Sequence, residues 1–525
     1  MEINTPSGRL RGAICADGKV ARFLGVPYAQ PPLGELRWRA PQKMAPWRGT
    51  GDATKFGPAS LQRCKPSNSI MYFGDEASSE DCLYLNVWAP TQTMHPLPVL
   101  VWFHGGGFYY GSGSLPKYDG EALSALGAVV VTINYRLGPL GFLAHPDLSA
   151  EGDWGTSGNY GLLDQIAALE WIRDHIAAFQ GDPDCVTIFG QSVGSSSVNS
   201  LMTSPLARGL FHRAIAQSGG SMGHLGSPGS GCMQTLADAQ EAGERYARQL
   251  GAATADEMRK LPATQVQFLG LSIKADEKEY MSILPTIRRS GWPIVDGAIL
   301  ERSNYESFRM GLQAPVPLIS GWTVDEGSIS PTPATQEALE AATRATYGDY
   351  AEHILRHYAD DRLTPAHISR KISGHRGFCW QNRTLARMHG MTCAAPSFVY
   401  QFTHVPPIPE GVDFMECAAQ DLGAFHTAEL PYVFNTLSSR TWNWSHRDRE
   451  LADQMSRYWV SFARTGDPND APALPLWPRY RSKSENAADA MVLQFAEVTE
   501  SIQEPMTDTF ALWDGYFENA HKAAM

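Results

Sequence analysis

The sequence predicts an α/β fold built around a mostly parallel sheet, and three observations carry that reading. Short apolar runs recur at Val99–Phe103, Ala128–Asn134 and Cys185–Phe189. Runs of this length, rich in Val and Ile, read as strands covered on both faces. Between the second and third, Leu162, Leu163, Ile166, Leu169, Ile172 and Ile176 fall at helical spacing. That spacing predicts an amphipathic helix over 160–179. The third observation is the order itself. Strand, helix, strand argues for parallel strands joined by right-handed crossovers.

Pro317–Ser320 and Phe398–Phe402 extend the sheet by the same reasoning. The stretches 235–290 and 336–392 read as mostly helical and are expected to be cap and lateral insertions. No stretch has linker composition, and no repeat or low-complexity tract interrupts the chain. Residues 1–525 are therefore expected to form one domain with excursions. The 14 Trp, 21 Phe and 19 Tyr can fill one large core.

Composition narrows the function. Net charge is −12, from 43 basic and 55 acidic side chains, and no Lys/Arg stripe forms. Nucleic acid is not an expected partner. The apolar runs fall short of the ~20 residues that span a bilayer, so no membrane is expected either. The start, Met1–Pro6, has neither a basic nor an apolar leader region. Eight Cys without a CxxC suit a reducing compartment and support no metal site. A cytoplasmic protein, monomeric or weakly homo-oligomeric, is expected.

The chemistry begins at Gly190-Gln191-Ser192-Val193-Gly194, a G-x-S-x-G after a predicted strand and before a small-residue helix start. In that context the turn is tight, both glycines avoid steric clash, and the Ser hydroxyl is pushed into a cleft at the strand ends. The alternative is an ordinary Gly/Ser turn, which strand–turn–helix context disfavours. His104-Gly105-Gly106-Gly107-Phe108 follows the first buried strand. Consecutive glycines let backbone N–H groups approach a ligand. In acyl transfer such groups receive a developing oxyanion, and removing one donor costs about 10²–10³ in rate. The predicted donors are the N–H groups of Gly106, Gly107 and Val193. His104 reads as structural. Phe108 and Gln191, beside the two motifs, are expected to contact substrate. A Ser nucleophile needs a base and an orienting acid. Nine of the 15 His lie after residue 326, and spacing alone does not choose among them.

The chain resembles the type-B carboxylesterases of the cholinesterase-like family, with bacterial para-nitrobenzyl esterases as near relatives. Phe23–Pro32, Glu80–Val87, Asn134-Tyr135-Arg136, Asn159–Gln165, Gly466–Asn469 and Trp477-Pro478 carry the resemblance nearly end to end. It implies an α/β-hydrolase fold with helical insertions lining a gorge. It implies a serine carboxylic ester hydrolase acting on a small-molecule ester through an acyl-enzyme, with no cofactor and no metal. The family's catalytic acid falls at Glu326 rather than the neighbouring Asp325, and its catalytic His at His426. The resemblance also implies buried pairs Arg37–Glu80 and Arg136–Asp164. Family members often close a disulfide before the Glu80-Asp81-Cys82-Leu83 motif, here Cys64 with Cys82; a reducing compartment would keep both as thiols.

The chain departs from the family beside its nucleophile. Gln191 stands where Glu is usual and Val193 where Ala is usual. Loss of that negative charge weakens attraction for choline-like cations. Ser195, Ser196 and Ser197 read as helix-packing residues. Arg288 and Arg289 read as solvated, or as readers of an acidic acyl group if they face the gorge. Two other functions use the same residues: amide or carbamate cleavage by the same triad, and a non-catalytic binding protein on the same fold. Matched ester and anilide substrates separate the first, and a serine-reactive fluorophosphonate separates the second.

Overall fold

A computed structural model describes residues 1–523 except 224, 227–231, 274–276, 331, 413, 472 and 482–489. Its centre is an eleven-stranded sheet. In chain order the strands are β1 (Ala13–Ile14), β2 (Val20–Pro27), β3 (Tyr84–Pro90), β4 (Leu97–Phe103), β5 (Val129–Ile133) and β6 (Gly181–Gln191). They continue as β7 (Arg213–Gln217), β8 (Leu318–Thr323), β9 (Ser397–Phe402), β10 (Met491–Phe495) and β11 (Glu500–Gln503). Across the sheet the order is β11-β10-β9-β8-β7-β6-β4-β5-β3-β2-β1. From β10 to β5 every pairing is parallel. The outer pairings are antiparallel.

The apolar runs are continuous because both faces of the sheet are covered. Along β4, Val99, Val101 and Phe103 join one core with Leu162, Ile166, Leu169 and Ile172 of the helix Tyr160–His175. Leu100 and Trp102 point to the other, with Leu451, Met455, Trp459 and Phe462 of the helix His446–Thr465. Alternate side chains of a strand face opposite sides, so one run feeds two cores. The second helix starts on a reciprocal cap between Ser445 and Asp448 and stops at left-handed Gly466.

The predicted strands are present, β6 longer at both ends than the apolar run suggested. One expectation needs correction. The helix over 160–175 is not amphipathic: Asp164 and Gln165 are as buried as Leu162 and Ile172. It lies between the sheet and the elements outside it, and its buried polar residues Asp164 and Gln165 are paired internally, while Arg173 and Asp174 at its end are exposed. Asp164 accepts from Arg136 Nε at 2.8 Å and Nη2 at 2.7 Å. Gln165 donates to Ser197 at 2.9 Å. The pair Arg37–Glu80 is also present, and Arg37 further donates to the Leu261 carbonyl at 2.8 Å. Helices occupy Leu236–Gln249, Ala255–Lys260, Ala263–Gln267 and Glu277–Arg289, and again Gln336–Tyr347, Ala351–Tyr358, Pro365–Gly374 and Trp380–Thr392. Among the described residues no helix is long and apolar enough to cross a membrane.

Candidate active site

The loops after β4, β6, β8 and β9 leave the carboxyl ends of neighbouring parallel strands, where open α/β sheets hold their ligands. Ser192 follows β6 at φ 60°, ψ −127°, an unfavourable backbone conformation for a residue with a side chain. Close packing forces it. A Cβ on Gly194 would sit 2.0 Å from the Phe103 carbonyl oxygen, and one on Gly190 2.5 Å from the Gly194 backbone. Gly219, which the sequence did not single out, is under the same constraint, 2.0 Å from the Ser192 carbonyl. The turn is pinned by the Ser192 N–H donating to the Gln217 carbonyl at 2.9 Å. Asn382 accepts from Gly219 N–H at 2.7 Å.

The glycine loop lies against this turn. A Cβ on Gly105 would come within 3.0 Å of Ser192 Cβ. Gly106 and Gly107 take φ of 117° and 67°, and Phe108 63°. The N–H groups of Gly106, Gly107 and Val193 have no hydrogen-bond partner among the described residues. His104 is buried, stacked on Tyr135 at 4.4 Å, and burial lowers its pKa to about 4, so it is neutral. Phe108 is not a contact surface. Its left-handed backbone turns the ring into the core, fully buried against Phe142 and Trp292 at 5.0 and 5.1 Å.

Glu326 follows β8 and is 1 % exposed. One of its oxygens accepts from Thr323 N–H at 2.9 Å, and the other bonds His426 Nδ1. Asp325 does a different job. Its carboxylate accepts from Ala424 N–H at 2.9 Å and ties the acid turn to the histidine loop; burial raises its pKa. Phe378 packs on the His426 ring at 4.2 Å.

With Nδ1–H given to Glu326, His426 presents Nε2 as a bare acceptor. Its nearest partner is the Gln191 amide, 3.3 Å away; the same amide donates to the His426 carbonyl. Gln191 is thus a brace between the nucleophile turn and the base. No hydrogen bond joins Ser192 Oγ to His426 in this arrangement, a looseness common before substrate binds. A second carboxylate, Glu429, lies three residues on. Burial, then the charge of Glu326, pushes its pKa up to about 8. It keeps its proton at neutral pH, so the pocket holds one negative charge rather than two. Sequence reasoning missed Glu429, Gln217 and Phe378, because each matters only through tertiary contact.

Ser195 and Ser196 donate to the carbonyls of Gly219 and Gly220, which leaves them in helix packing. Arg288 and Arg289 are exposed, and Arg288 stands 6.0 Å over the Tyr109 ring. Cys64 and Cys82 are both free thiols.

Comparison with known proteins follows the geometry. The model of the carboxylesterase family matches residues 1–510. The chain is 36% identical over 504 residues to fumonisin B1 esterase of Sphingopyxis macrogoltabida, covering 92% of this chain and 85% of that protein. It is 34% identical over 510 residues to para-nitrobenzyl esterase of Bacillus subtilis (strain 168), 95% of each. A solved PNB esterase superposes with a TM-score of 0.79 at 31% identity, over 98% of this chain and 99% of that one.

Proposed function

This chain belongs to the carboxylesterase family and is a carboxylic ester hydrolase, and on that premise we propose that Ser192, His426 and Glu326 are its catalytic triad. The observation that carries the assignment is the buried Glu326–His426 hydrogen bond, which leaves Nε2 unprotonated, held only by the Gln191 amide at 3.3 Å beside the strained Ser192 turn.

Ser192 Oγ attacks the ester carbonyl as Nε2 of His426 takes its proton. The carbonyl oxygen becomes an oxyanion held by the N–H groups of Gly106, Gly107 and Val193. Glu326 keeps the His426 tautomer and stabilises the imidazolium. His426 then protonates the departing alcohol, leaving an acyl-Ser192. Water enters, gives its proton to His426, and attacks the acyl carbon; collapse returns the proton to Ser192 and frees the acid. Gln191 must release Nε2 as Oγ engages it.

Glu326 rather than Asp325 is the acid in this reading, because Asp325 already spends its carboxylate on Ala424. Gln191 touches the base, and it offers no negative charge to a cationic leaving group. Residues 1–525 work as one domain, with 235–290 and 336–392 framing the approach. The free Cys64 and Cys82 support a cytoplasmic setting; a monomer or weak homo-oligomer is part of the same reading. Intact mass without reductant would reveal a Cys64–Cys82 bond and overturn that setting.

Ser192→Ala is expected to lower p-nitrophenyl acetate turnover by about 10⁴-fold or more. A purified, folded variant that keeps a tenth of the activity would refute the assignment.

A further inference from the structure

The glycine loop after β4 turns back on itself, and its return limb lies against the glycines that face the nucleophile. Tyr109 and Tyr110 N–H both donate to the Gly106 carbonyl at 3.1 Å. A Cβ on Gly106 would sit 1.9 Å from the Tyr110 carbonyl oxygen, and one on Gly111 2.4 Å from the Gly105 carbonyl oxygen. The two limbs therefore meet backbone to backbone, closer than any side chain would allow.

Beyond Gly111 the return limb is anchored. Gly113 N–H donates to Asn134 at 2.8 Å, and Ser112 and Ser114 donate to the Glu76 carboxylate at 2.8 and 2.7 Å. At Gly111 itself the anchor is Gln62, which the sequence did not single out and the triad chemistry does not use. Its Oε1 accepts from Gly111 N–H at 2.6 Å, and its Nε2 donates to the Gly111 carbonyl at 2.9 Å. The same Nε2 also donates to the Ser60 carbonyl at 3.0 Å. The amide is thus fully used, and it cannot turn without losing these bonds.

A peptide unit is planar. Gly111 N–H and the Tyr110 carbonyl belong to one such plane, so the bond that fixes the N–H also aims the carbonyl. That carbonyl is the group pressed against Gly106. Gly106, at φ 117°, has no side chain of its own to hold it, so this contact limits where its backbone can lie. A donor to a developing oxyanion is effective only if it is in place before the charge appears.

We propose that Gln62 is a positioning residue for the oxyanion hole, holding Gly106 N–H in place through the Tyr110–Gly111 peptide. It touches neither substrate nor the reacting atoms. The role rests on the reading of Gly106, Gly107 and Val193 as oxyanion donors to an acyl group on Ser192.

The test compares two inhibitors on the full-length protein, hexyl trifluoromethyl ketone and hexyl methyl ketone. With the first, Ser192 Oγ bonds the carbonyl carbon, its proton passes to His426, and the carbonyl oxygen takes the π pair as an oxyanion. The second binds without forming that adduct. Gln62→Met removes the amide bonds at nearly the same side-chain length. It is expected to lower kcat for p-nitrophenyl acetate about tenfold and leave KM within about twofold. Affinity for the trifluoromethyl ketone should fall by the same factor, and affinity for the methyl ketone should not change. Folding is checked by the thermal melt. If Gln62→Met does not fold, Gln62→Asn, whose amide is a methylene too short to reach Gly111, carries the same comparison. Unchanged trifluoromethyl ketone affinity in a folded variant overturns the proposal, even if the melt falls. Equal weakening of both ketones overturns it too, because that is the mark of a generally loosened site. Ser192→Ala should abolish the advantage of the trifluoromethyl ketone over the methyl ketone. If that advantage survives, the nucleophile assignment is wrong and the role of Gln62 falls with it, a result distinct from a failure of Gln62 alone.

Discussion

The nucleophile side and the histidine side of this site are built by different physics. Around Ser192 the backbone does the work. Gly190, Gly194 and Gly219 let three chain segments meet at distances no Cβ would permit. Around His426 side chains do it: Asp325 holds Ala424, Thr323 N–H holds Glu326, and Gln191 braces the His426 carbonyl. The first region is rigid because alternatives are sterically excluded. The second is rigid only while a set of hydrogen bonds, each worth about 1 kcal/mol, stays intact. Damage to the first should be abrupt, and damage to the second graded and partly rescuable.

Gly194→Ala gives the largest expected effect. Its methyl would meet the Phe103 carbonyl oxygen at 2.0 Å, so the turn or β4 must move. A displacement of this kind costs about 10²-fold or more in kcat/KM. Steady-state kinetics on p-nitrophenyl acetate would read it, and a loss below tenfold would show that the turn is softer than its packing implies.

Asp325→Ala tests the other side. It removes the acceptor for Ala424 N–H while the backbone bond from Asp325 N–H to the Ala424 carbonyl remains. The expected loss is about tenfold, mostly in kcat. Asp325→Asn keeps an acceptor oxygen and should recover most of it. Equal loss in both variants would point to charge rather than to the hydrogen bond. Gln191→Glu comes next, at a few-fold. A carboxylate here faces the His426 carbonyl and adds negative charge near the imidazole. That charge favours the imidazolium, so the acid limb of the kcat/KM profile moves to higher pH. An unmoved limb would mean that the brace works by shape alone.

The same contrast explains what could be read in advance. The nucleophile turn and the glycine loop were legible because their geometry is written in consecutive residues, and the buried strands because continuous apolar runs have few other uses. His426 and Glu326 were legible only through family resemblance; nothing local separates His426 from the other fourteen histidines. Phe108 was misplaced because adjacency to the loop says nothing of a left-handed φ that turns its ring inward. Helical spacing identified the helix at 160–175 but not its burial, since Asp164 becomes a core residue only once Arg136 folds back upon it. Glu429 owes its character to burial, which no spacing encodes.

Glu429→Gln should barely change activity at neutral pH, by less than about twofold, because Glu429 is already uncharged there. Its signature is in stability. The native pKa, about 8, lies above the ordinary 4.5. Between those values the unfolded chain loses its proton and the native protein keeps it, so the native state binds more protons and stability falls as pH rises. The fall is complete once pH passes about 8, where both states ionise. Glutamine cannot ionise and removes that slope. The variant should therefore melt higher than wild type at pH 8, by an amount corresponding to up to about 4 kcal/mol, and match it at pH 4.5. Parallel melting curves across that range would show Glu429 to be ionised and paired in the native state. The histidine side would then hold two negative charges where the nucleophile side holds none.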